Sequence, residues 1–275
     1  MKKITVLHLI DSLPREGAEM VIFDLIQQGD REDFNYLVCS LTRAGGVGDM
    51  LEGIGVPVFL LHRRSRWDRR AFRRLMDLIR REKVDIIHTH LFSSHIWGAL
   101  ASLFSPPSVH LFRTEHNMSE WKNSVRRFID RFLLKRSERV VAVSEPVARS
   151  LADRSRCPEE KLTVIENGLN LNRLKPASEP RALREELGVG EQDYLVGTAS
   201  ALTPKKGHRF LLAAAEEILK ERSNVYFLLM GEGELENELR RAIRDKNLGD
   251  RVFLLGSRSD ATEIMSLLDV FVLSS

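Results

Sequence analysis

Short apolar segments alternate with helical segments along most of this chain, and no other sequence feature restricts its fold as strongly. The first seven strand candidates are residues 4–10, 34–41, 56–62, 84–90, 109–116, 140–144 and 162–166. Helical stretches at 18–28, 69–82, 94–104 and 125–137 lie between them. Several strands are apolar on nearly every residue, as parallel strands covered by helices on both faces require. We therefore predict an α/β fold with a doubly wound parallel sheet.

The alternation of strands and helices is interrupted once and then resumes. Residues 169–192 form a polar stretch that we interpret as a linker, rich in breakers at Asn170, Asn172, Pro176, Pro180, Gly188 and Gly190. Beyond it we predict strands at 194–199, 225–230, 252–255 and 270–273 and helices at 207–221, 235–246 and 263–268. At roughly 150 residues per domain, the length corresponds to about 1.8 domains. The prediction is two Rossmann-like domains, 1–175 and 176–275, the second one incomplete.

Composition places the chain among ordinary globular proteins. It is 43% hydrophobic and 29% charged, which argues against disordered and fibrous architectures. No apolar run approaches the roughly 18 residues of a membrane span. The apolar start is interrupted by Asp11, Glu16 and Glu19 before any cleavage site, so we expect no signal peptide. Cys39 and Cys157 have no metal or redox spacing. We predict a cytoplasmic protein.

Charge divides unevenly between the two predicted domains. Residues 1–175 hold seven more basic than acidic residues, whereas 176–275 hold four more acidic than basic ones. Nine arginines cluster between positions 63 and 81: Arg63, Arg64, Arg66, Arg69, Arg70, Arg73, Arg74, Arg80 and Arg81. They could form a solvated helix face or meet an anionic membrane or acidic polymer. Nucleic acid is less favoured because no recognition motif accompanies them.

Polar residues follow the strands of the first domain, where ligands bind in such sheets. Gly17 opens the first helix, whose free N–H groups could hold an anion. His88 and His90 lie on one face at the end of the fourth strand, and His116 follows the fifth. Three histidines could ligate a metal, but no carboxylate or cysteine spacing supports this. A hydrogen-bonded cleft rim is the favoured interpretation.

The second domain offers a basic loop and two glycines. Lys205, Lys206 and Gly207 follow its first strand, and ammonium groups beside a helix start suit a diphosphate. The spacing is not that of a P-loop. Gly231 and Gly233 follow the next strand, but Glu236 occupies the third glycine position of a dinucleotide fingerprint, so a dehydrogenase is disfavoured.

Taken in order, these segments resemble the retaining glycosyltransferases of family 4, which have the GT-B fold. The matching segments span the chain: Glu16-Gly17-Ala18-Glu19, Ile86-Ile87-His88-Thr89-His90, Thr114-Glu115-His116, Val141-Ala142-Val143-Ser144, Val164-Ile165-Glu166-Asn167-Gly168, Lys206-Gly207-His208, Gly231-Glu232-Gly233, Phe253-Leu254-Leu255-Gly256-Ser257-Arg258 and Asp269-Val270-Phe271-Val272-Leu273-Ser274-Ser275. Each is weak alone, but their order is specific.

The resemblance implies transfer of a sugar from a UDP- or GDP-sugar to an acceptor hydroxyl, with retention and without a metal or other cofactor. Lys206, helped by Lys205, would hold the diphosphate, and His116 would face the donor sugar; these two are the catalytic candidates. Gly17 would present its N–H to the phosphates. Gly231, Gly233, Gly256 and Arg258 would border the nucleotide. The donor would lie mostly on the second domain, with the first on the acceptor side.

Two departures from the family's sequence pattern keep alternative functions open. Ala201 and Ser200 stand where the family usually has an arginine and a glycine, which weakens the phosphate clamp. Two glutamates expected further on are absent, so we expect this chain to be a nearly inactive fragment of the enzyme. The alternatives are a non-catalytic scaffold and a nucleotide-sugar epimerase of GT-B fold. The expected context is cell-surface glycan or lipid-linked saccharide synthesis at the inner membrane face.

Overall fold

The computed structural model describes residues 2–117, 124–168, 170–171, 180–258 and 260–275. The chain divides into two compact units, Met1–Leu169 and Asn170–Ser275. The boundary predicted at 175/176, with Asn172 and Pro176, lies outside the described residues.

The first unit alternates seven strands with six helices among its described residues. The strands are β1 (Ile4–Ser12), β2 (Phe34–Arg43), β3 (Val58–Leu60), β4 (Ile86–His90), β5 (His110–Glu115), β6 (Arg139–Ala142) and β7 (Leu162–Val164). The helices are α1 (Gly17–Gln28), α2 (Gly46–Gly53), α3 (Arg69–Arg81), α4 (Phe92–Leu103), α5 (Ser124–Arg136) and α6 (Glu145–Ser155). All seven predicted strands are present, although β3 is four residues shorter than predicted.

The first sheet is parallel throughout and has the order β3-β2-β1-β4-β5-β6-β7. Strand order reverses between β1 and β4, so the edge beyond their carboxyl ends is where ligands of doubly wound sheets bind. Gly98 brings α4 close to β4: a Cβ there would lie 2.2 Å from Thr89 Cγ2. This packing sets the helix directly against the strand that carries His88 and His90.

The second unit repeats the alternation on a smaller scale. Its elements are α7 (Pro180–Glu186), β8 (Tyr194–Ala199), α8 (His208–Glu221), β9 (Val225–Met230), α9 (Glu236–Asp245), β10 (Val252–Gly256), α10 (Ala261–Ser266) and β11 (Val270–Phe271). The parallel sheet has the order β10-β9-β8-β11. The α/β class and the two parallel sheets are thereby confirmed.

The sequence-based prediction was wrong in two places in this unit. The interval 169–192 is not wholly a linker, because α7 begins at Pro180. Proline suits a first helical turn, since its missing N–H needs no partner there. The last strand ends at Phe271 rather than at residue 273. It pairs with β8 through only Val270 and Phe271, both about half exposed.

The described helices include none with the combined length and apolar character of a bilayer-spanning segment.

Candidate active site

Three histidines form a continuous hydrogen-bonded chain at the carboxyl edge of the first sheet. His8 on β1 has its Nδ1 3.1 Å from Nε2 of His90 on β4. The other nitrogen of His90, Nδ1, lies 3.1 Å from Nε2 of His116, which directly follows β5. His8 and His90 are both 1% exposed, whereas His116 is partly exposed. The predicted residue His116 therefore lies at the outer end of a chain that starts in the core.

Burial keeps these imidazoles neutral. It holds the pKa of His8 and of His90 well below the ordinary value, with the neighbouring histidine charges adding to the effect. Burial also lowers the pKa of His116 to about 4, against a smaller opposing effect of Glu115. A neutral imidazole carries one N–H, so His90 donates one of its two bonds and accepts the other.

The two possible directions of this chain differ in where they leave an unused N–H. In one direction His8 carries the spare N–H on Nε2, a buried atom without a partner among the described residues. In the other the spare N–H is on Nδ1 of His116, which is also a buried atom without a partner among the described residues. A buried orphan donor costs about 1–3 kcal/mol. Each direction therefore leaves one such donor, either on His8 or on His116.

The same region meets a geometric criterion for a metal site. His8, His88 and His90 offer ligand atoms that lie within 4.8 Å of one another. However, His88 Nε2 is 2.8 Å from Thr114 Oγ1, and His8 Nδ1 already pairs with His90. A metal ion bound here would have to replace the His8–His90 hydrogen bond or use the remaining nitrogens. Metal independence stays a prediction.

Gly17 lies where the phosphate-binding interpretation put it, at the first position of α1. A Cβ added there would meet no atom within 4 Å, so the space beside its backbone is open. Glu19, in the same first turn, is 4% exposed. Its burial, with smaller contributions from the Glu16 and Asp11 charges, raises its pKa to about 7. Sequence reasoning did not single out Glu19.

A buried ion network anchors the strand that carries His116. Arg113 is 1% exposed and donates to Glu115 and, at 2.7 Å, to Asp130 of α5. Ser155 of α6 donates to the other oxygen of Asp130 at 2.8 Å. The network joins the end of β5 to two helices, and Glu115 is the residue directly before His116. It therefore holds the backbone from which His116 projects.

In the second unit the predicted glycines are drawn together by close backbone contacts. Gly231 donates its N–H to the carbonyl of Gly256 at 2.8 Å. Its φ is 138°, and a Cβ there would lie 2.1 Å from the carbonyl oxygen of Ser200. A Cβ on Gly233 would lie 2.4 Å from the carbonyl oxygen of Leu202. The loops after β8, β9 and β10 thus meet at one edge only because glycines permit it.

The predicted lysines lie on the loop after β8. Lys205 and Lys206 belong to a 3-10 turn that ends at Gly207, which has a φ of 65° and precedes α8. Within the part of the chain that the structure describes, neither ammonium has a hydrogen-bond or ion-pair partner. Both charges are available to an anion at a helix start.

The serine at position 200 has a structural role of its own. Its hydroxyl lies 3.1 Å from Nε2 of His208, which is 1% exposed and the first residue of α8. Burial, followed by the charge of Lys206, lowers the pKa of His208. A neutral His208 thus ties the loop around Ala201 to α8.

Arg258 is engaged within its own unit. Its guanidinium binds Asp260 through two bonds of 2.8 and 2.7 Å and binds Glu186 of α7 at 3.0 Å. The predicted position beside the nucleobase is not tested, but these carboxylates already compensate its charge. Its proximity to Glu186 could not be foreseen from the sequence, because the two are 72 positions apart.

Sequence reasoning also missed His8. The signal was present: a lone histidine inside an otherwise apolar strand, in register with His88 on β4. Without the strand order, nothing links it to His90.

Known proteins with this architecture identify the class. Residues 6–173 match Glycosyltransferase Family 4 and residues 180–275 match Glycosyl transferases group 1. An Anabaena protein, Alr3699/HepE, whose crystal structure holds UDP-glucose, is similar with a TM-score of 0.84 and 24% identity, over 98% of this chain and 73% of that one. The fold and its two sheets define a glycosyltransferase of the GT-B class. Within that class, the chain belongs to Glycosyltransferase Family 4.

Two curated enzymes are similar in sequence. The UDP-Gal:alpha-D-GlcNAc-diphosphoundecaprenol alpha-1,3-galactosyltransferase of Escherichia coli is 30% identical over 76% of this chain and 56% of its own length. The alpha-monoglucosyldiacylglycerol synthase of Streptococcus pneumoniae is 25% identical over 73% of this chain and 48% of its own length. The matched regions thus span about half the length of these relatives.

Proposed function

We propose that the protein takes part in retaining transfer of a hexosyl group from a UDP- or GDP-sugar to an acceptor hydroxyl, in cell-surface glycan or lipid-linked saccharide synthesis. The main support is the pair of uncompensated ammonium groups, Lys205 and Lys206, at a glycine-shaped sheet edge. Lys206 neutralises the charge that develops on the leaving diphosphate, which is often the largest single contribution to such catalysis.

The remaining site residues take supporting roles. Gly17 offers a backbone N–H with open space beside it. His116 donates from Nδ1 to an oxygen of the donor sugar, which supplies the partner that this nitrogen lacks among the described residues. Gly231, Gly233, Gly256 and Arg258 shape the nucleotide-binding edge. No metal is required, because lysine and backbone N–H groups supply the electrostatic stabilisation.

Retention and a lipid-linked acceptor are supported by the relatives and by charge. Both curated relatives are named for α-linked products, one on a diphosphoundecaprenol carrier and the other on diacylglycerol. In the arginine cluster, Arg64, Arg69, Arg70 and Arg73 have no side-chain ion pair or hydrogen bond within the described residues. These charges suit contact with the anionic inner face of a cell membrane.

Calorimetry tests donor binding with this chain itself. UDP or GDP should bind, and Lys206→Gln should weaken binding by about 10- to 100-fold, because hydrogen bonds to charged groups contribute about 1.5–3 kcal/mol. Lys220→Gln is the matched control, because this exposed lysine pairs with Glu217. Failure of both nucleotides to bind would refute the proposal, and so would equal binding by both variants. Proton NMR of the glycosylated product would then decide between retention and inversion.

A further inference from the structure

Two adjoining cavities in the first unit differ in the polarity of their lining and share one wall. The polar cavity, of about 420 Å³, lies beyond the carboxyl ends of β2, β3 and β4, where Thr42, Arg63, Arg64, Arg66 and Ser93 line it. The apolar cavity, of about 450 Å³, lies between α3 and α4. Trp97 lines both cavities and is only 4% exposed.

The polar cavity has an excess of positive charge that suits an anion, although the Asp11 carboxylate lies close to Arg63 and Ser93. Arg63 donates to Ser93 Oγ at 2.5 Å, and its guanidinium carbon lies 5.7 Å from the centre of the Trp97 ring. Arg64 and Arg66 are exposed at its rim, and neither forms an ion pair within the described residues. The positive end of the α4 dipole adds to this field, because α4 begins at Phe92 on the cavity wall.

The apolar cavity is suited to a hydrocarbon chain. Phe72 stands edge-on to both Trp97 and Phe104, with ring centres 5.9 and 6.0 Å apart. Trp67 and Phe104 at its mouth are each 66% exposed, so large apolar surfaces face solvent there. Asp68, Arg69 and Arg73 also line this cavity. The Asp68 carboxylate accepts three backbone N–H bonds at the start of α3, and these bonds lower its pKa.

We propose that the two cavities bind one amphiphile, with a phosphate or diphosphate headgroup in the arginine cavity and the first part of its hydrocarbon chain between α3 and α4. Resting on the proposed function, this identifies where a lipid-phosphate acceptor binds. The headgroup lies at the sheet edge that ligands of this fold use. The chain leads away from it past Trp97 to the exposed aromatic rings.

Calorimetry with soluble probes below their micellar concentrations tests this directly. Decyl phosphate should bind one-to-one and about tenfold or more tighter than inorganic phosphate, because burial of only about two methylene groups contributes that much. It should also bind about tenfold or more tighter than decyl glucoside, because only the phosphate forms charge-assisted hydrogen bonds with the arginines. The double variant Arg64→Gln/Arg66→Gln should reduce decyl phosphate binding to the level of decyl glucoside. Trp67→Ala/Phe104→Ala should reduce it to the level of inorganic phosphate.

A matched control exists in the second unit. Arg209 lies 4.6 Å from the ring centre of Phe210, which is 58% exposed, and so repeats the exposed arginine–aromatic pairing of Arg66 and Trp67. Arg209→Gln/Phe210→Ala should leave decyl phosphate binding unchanged.

Three outcomes would overturn the proposal: equal affinity for decyl phosphate and the two partial probes, equal binding by all variants, or binding only to anionic phosphatidylglycerol vesicles and not to the monomer. The last would indicate a membrane-contact surface instead. UDP and GDP binding, measured on the same variants, separates this inference from the proposed function. Nucleotide binding without decyl phosphate binding refutes the amphiphile site alone.

Discussion

His8 Nδ1 lies 3.1 Å from His90 Nε2, and the two residues are 82 positions apart in the sequence. The contact exists because β1 and β4 are neighbours in the sheet, with His8 in register with His88. Through His90, the tautomer of His116 is coupled to a residue in the core.

We predict that His116 carries its proton on Nδ1 and that His8→Leu disturbs this preference. With His8 Nδ1 removed, His90 loses the hydrogen bond that sets its own tautomer. His116 should then become a mixture of tautomers. Nitrogen-15 NMR of labelled imidazoles measures the change. His110→Gln, at an exposed position of the same sheet where it pairs with Glu138, should leave the His116 signals unchanged. A wild-type His116 protonated on Nε2 would contradict the assignment.

We predict that purified protein contains no stoichiometric metal and that EDTA does not weaken nucleotide binding. The hydrogen bonds that join His8, His90 and His116 already use one nitrogen of His8 and both nitrogens of His90. Elemental analysis by mass spectrometry tests this, with His88→Gln as the comparison. One equivalent of zinc that is lost in His88→Gln would show that the histidines form a metal site.

We predict a pH-dependent effect of Glu19→Gln. The buried carboxyl has a pKa of about 7, whereas in the unfolded chain it titrates near its ordinary value of about 4. Between these values the native state holds a proton that the unfolded state has lost, so wild-type stability falls as pH rises through this window and stays lower above it. Glu19→Gln should lack this loss. The difference in free energy of unfolding between the variant and wild type should therefore be up to about 3 kcal/mol more favourable to the variant at pH 8 than at pH 4.

Urea denaturation at the two pH values measures this difference. Glu221→Gln, at the exposed end of α8, is the matched surface control. A Glu19→Gln effect that is the same at both values would mean that the native carboxyl is not perturbed.

We predict that Asp130→Asn destabilises the first unit by about 3–5 kcal/mol, because it leaves the Arg113 charge partly uncompensated in the core. Asp130 is fully buried and Arg113 is 1% exposed. Asp77→Asn removes the exposed Asp77–Arg80 pair, which spans 3.6 Å, and should produce no measurable change. Urea denaturation compares the two, and similar unfolding midpoints would argue against the network.

We predict opposite outcomes for two glycine substitutions. Gly231→Ala forces a Cβ against the Ser200 carbonyl at a φ of 138°, and we expect a loss of about 1–3 kcal/mol in stability together with weaker nucleotide binding. Gly17→Ala meets no atom within 4 Å and should retain wild-type stability. Thermal unfolding and calorimetry distinguish them. Equal midpoints for both variants would show that the loops around Gly231 can separate without cost.

The fold could be predicted from the sequence to a large extent because its signals are local. Apolar runs and their spacing identify strands and helices residue by residue, and β9 was predicted to the residue as 225–230. Errors occurred where a short element depends on its neighbours. β3 retains only Val58–Leu60, the three residues that pair with β2.

The candidate site was predictable only in part. Glycine and lysine positions in the loops after β8 and β9 follow from motif spacing, and the structure brings Gly231 and Gly256 together. The contacts of Arg258 and the role of Ser200 could not be predicted from the sequence, because Glu186 and His208 reach them through packing of separate helices.

The sequence by itself determined the alternation of strands and helices, the basic first unit and the loops at strand ends, since each depends on residues close together in the chain. Only the tertiary structure decided the histidine chain, the raised pKa of Glu19 and the division of the arginine surface into polar and apolar cavities. These depend on strand order, register and desolvation. The residues concerned are far apart in the sequence and are brought into contact by packing.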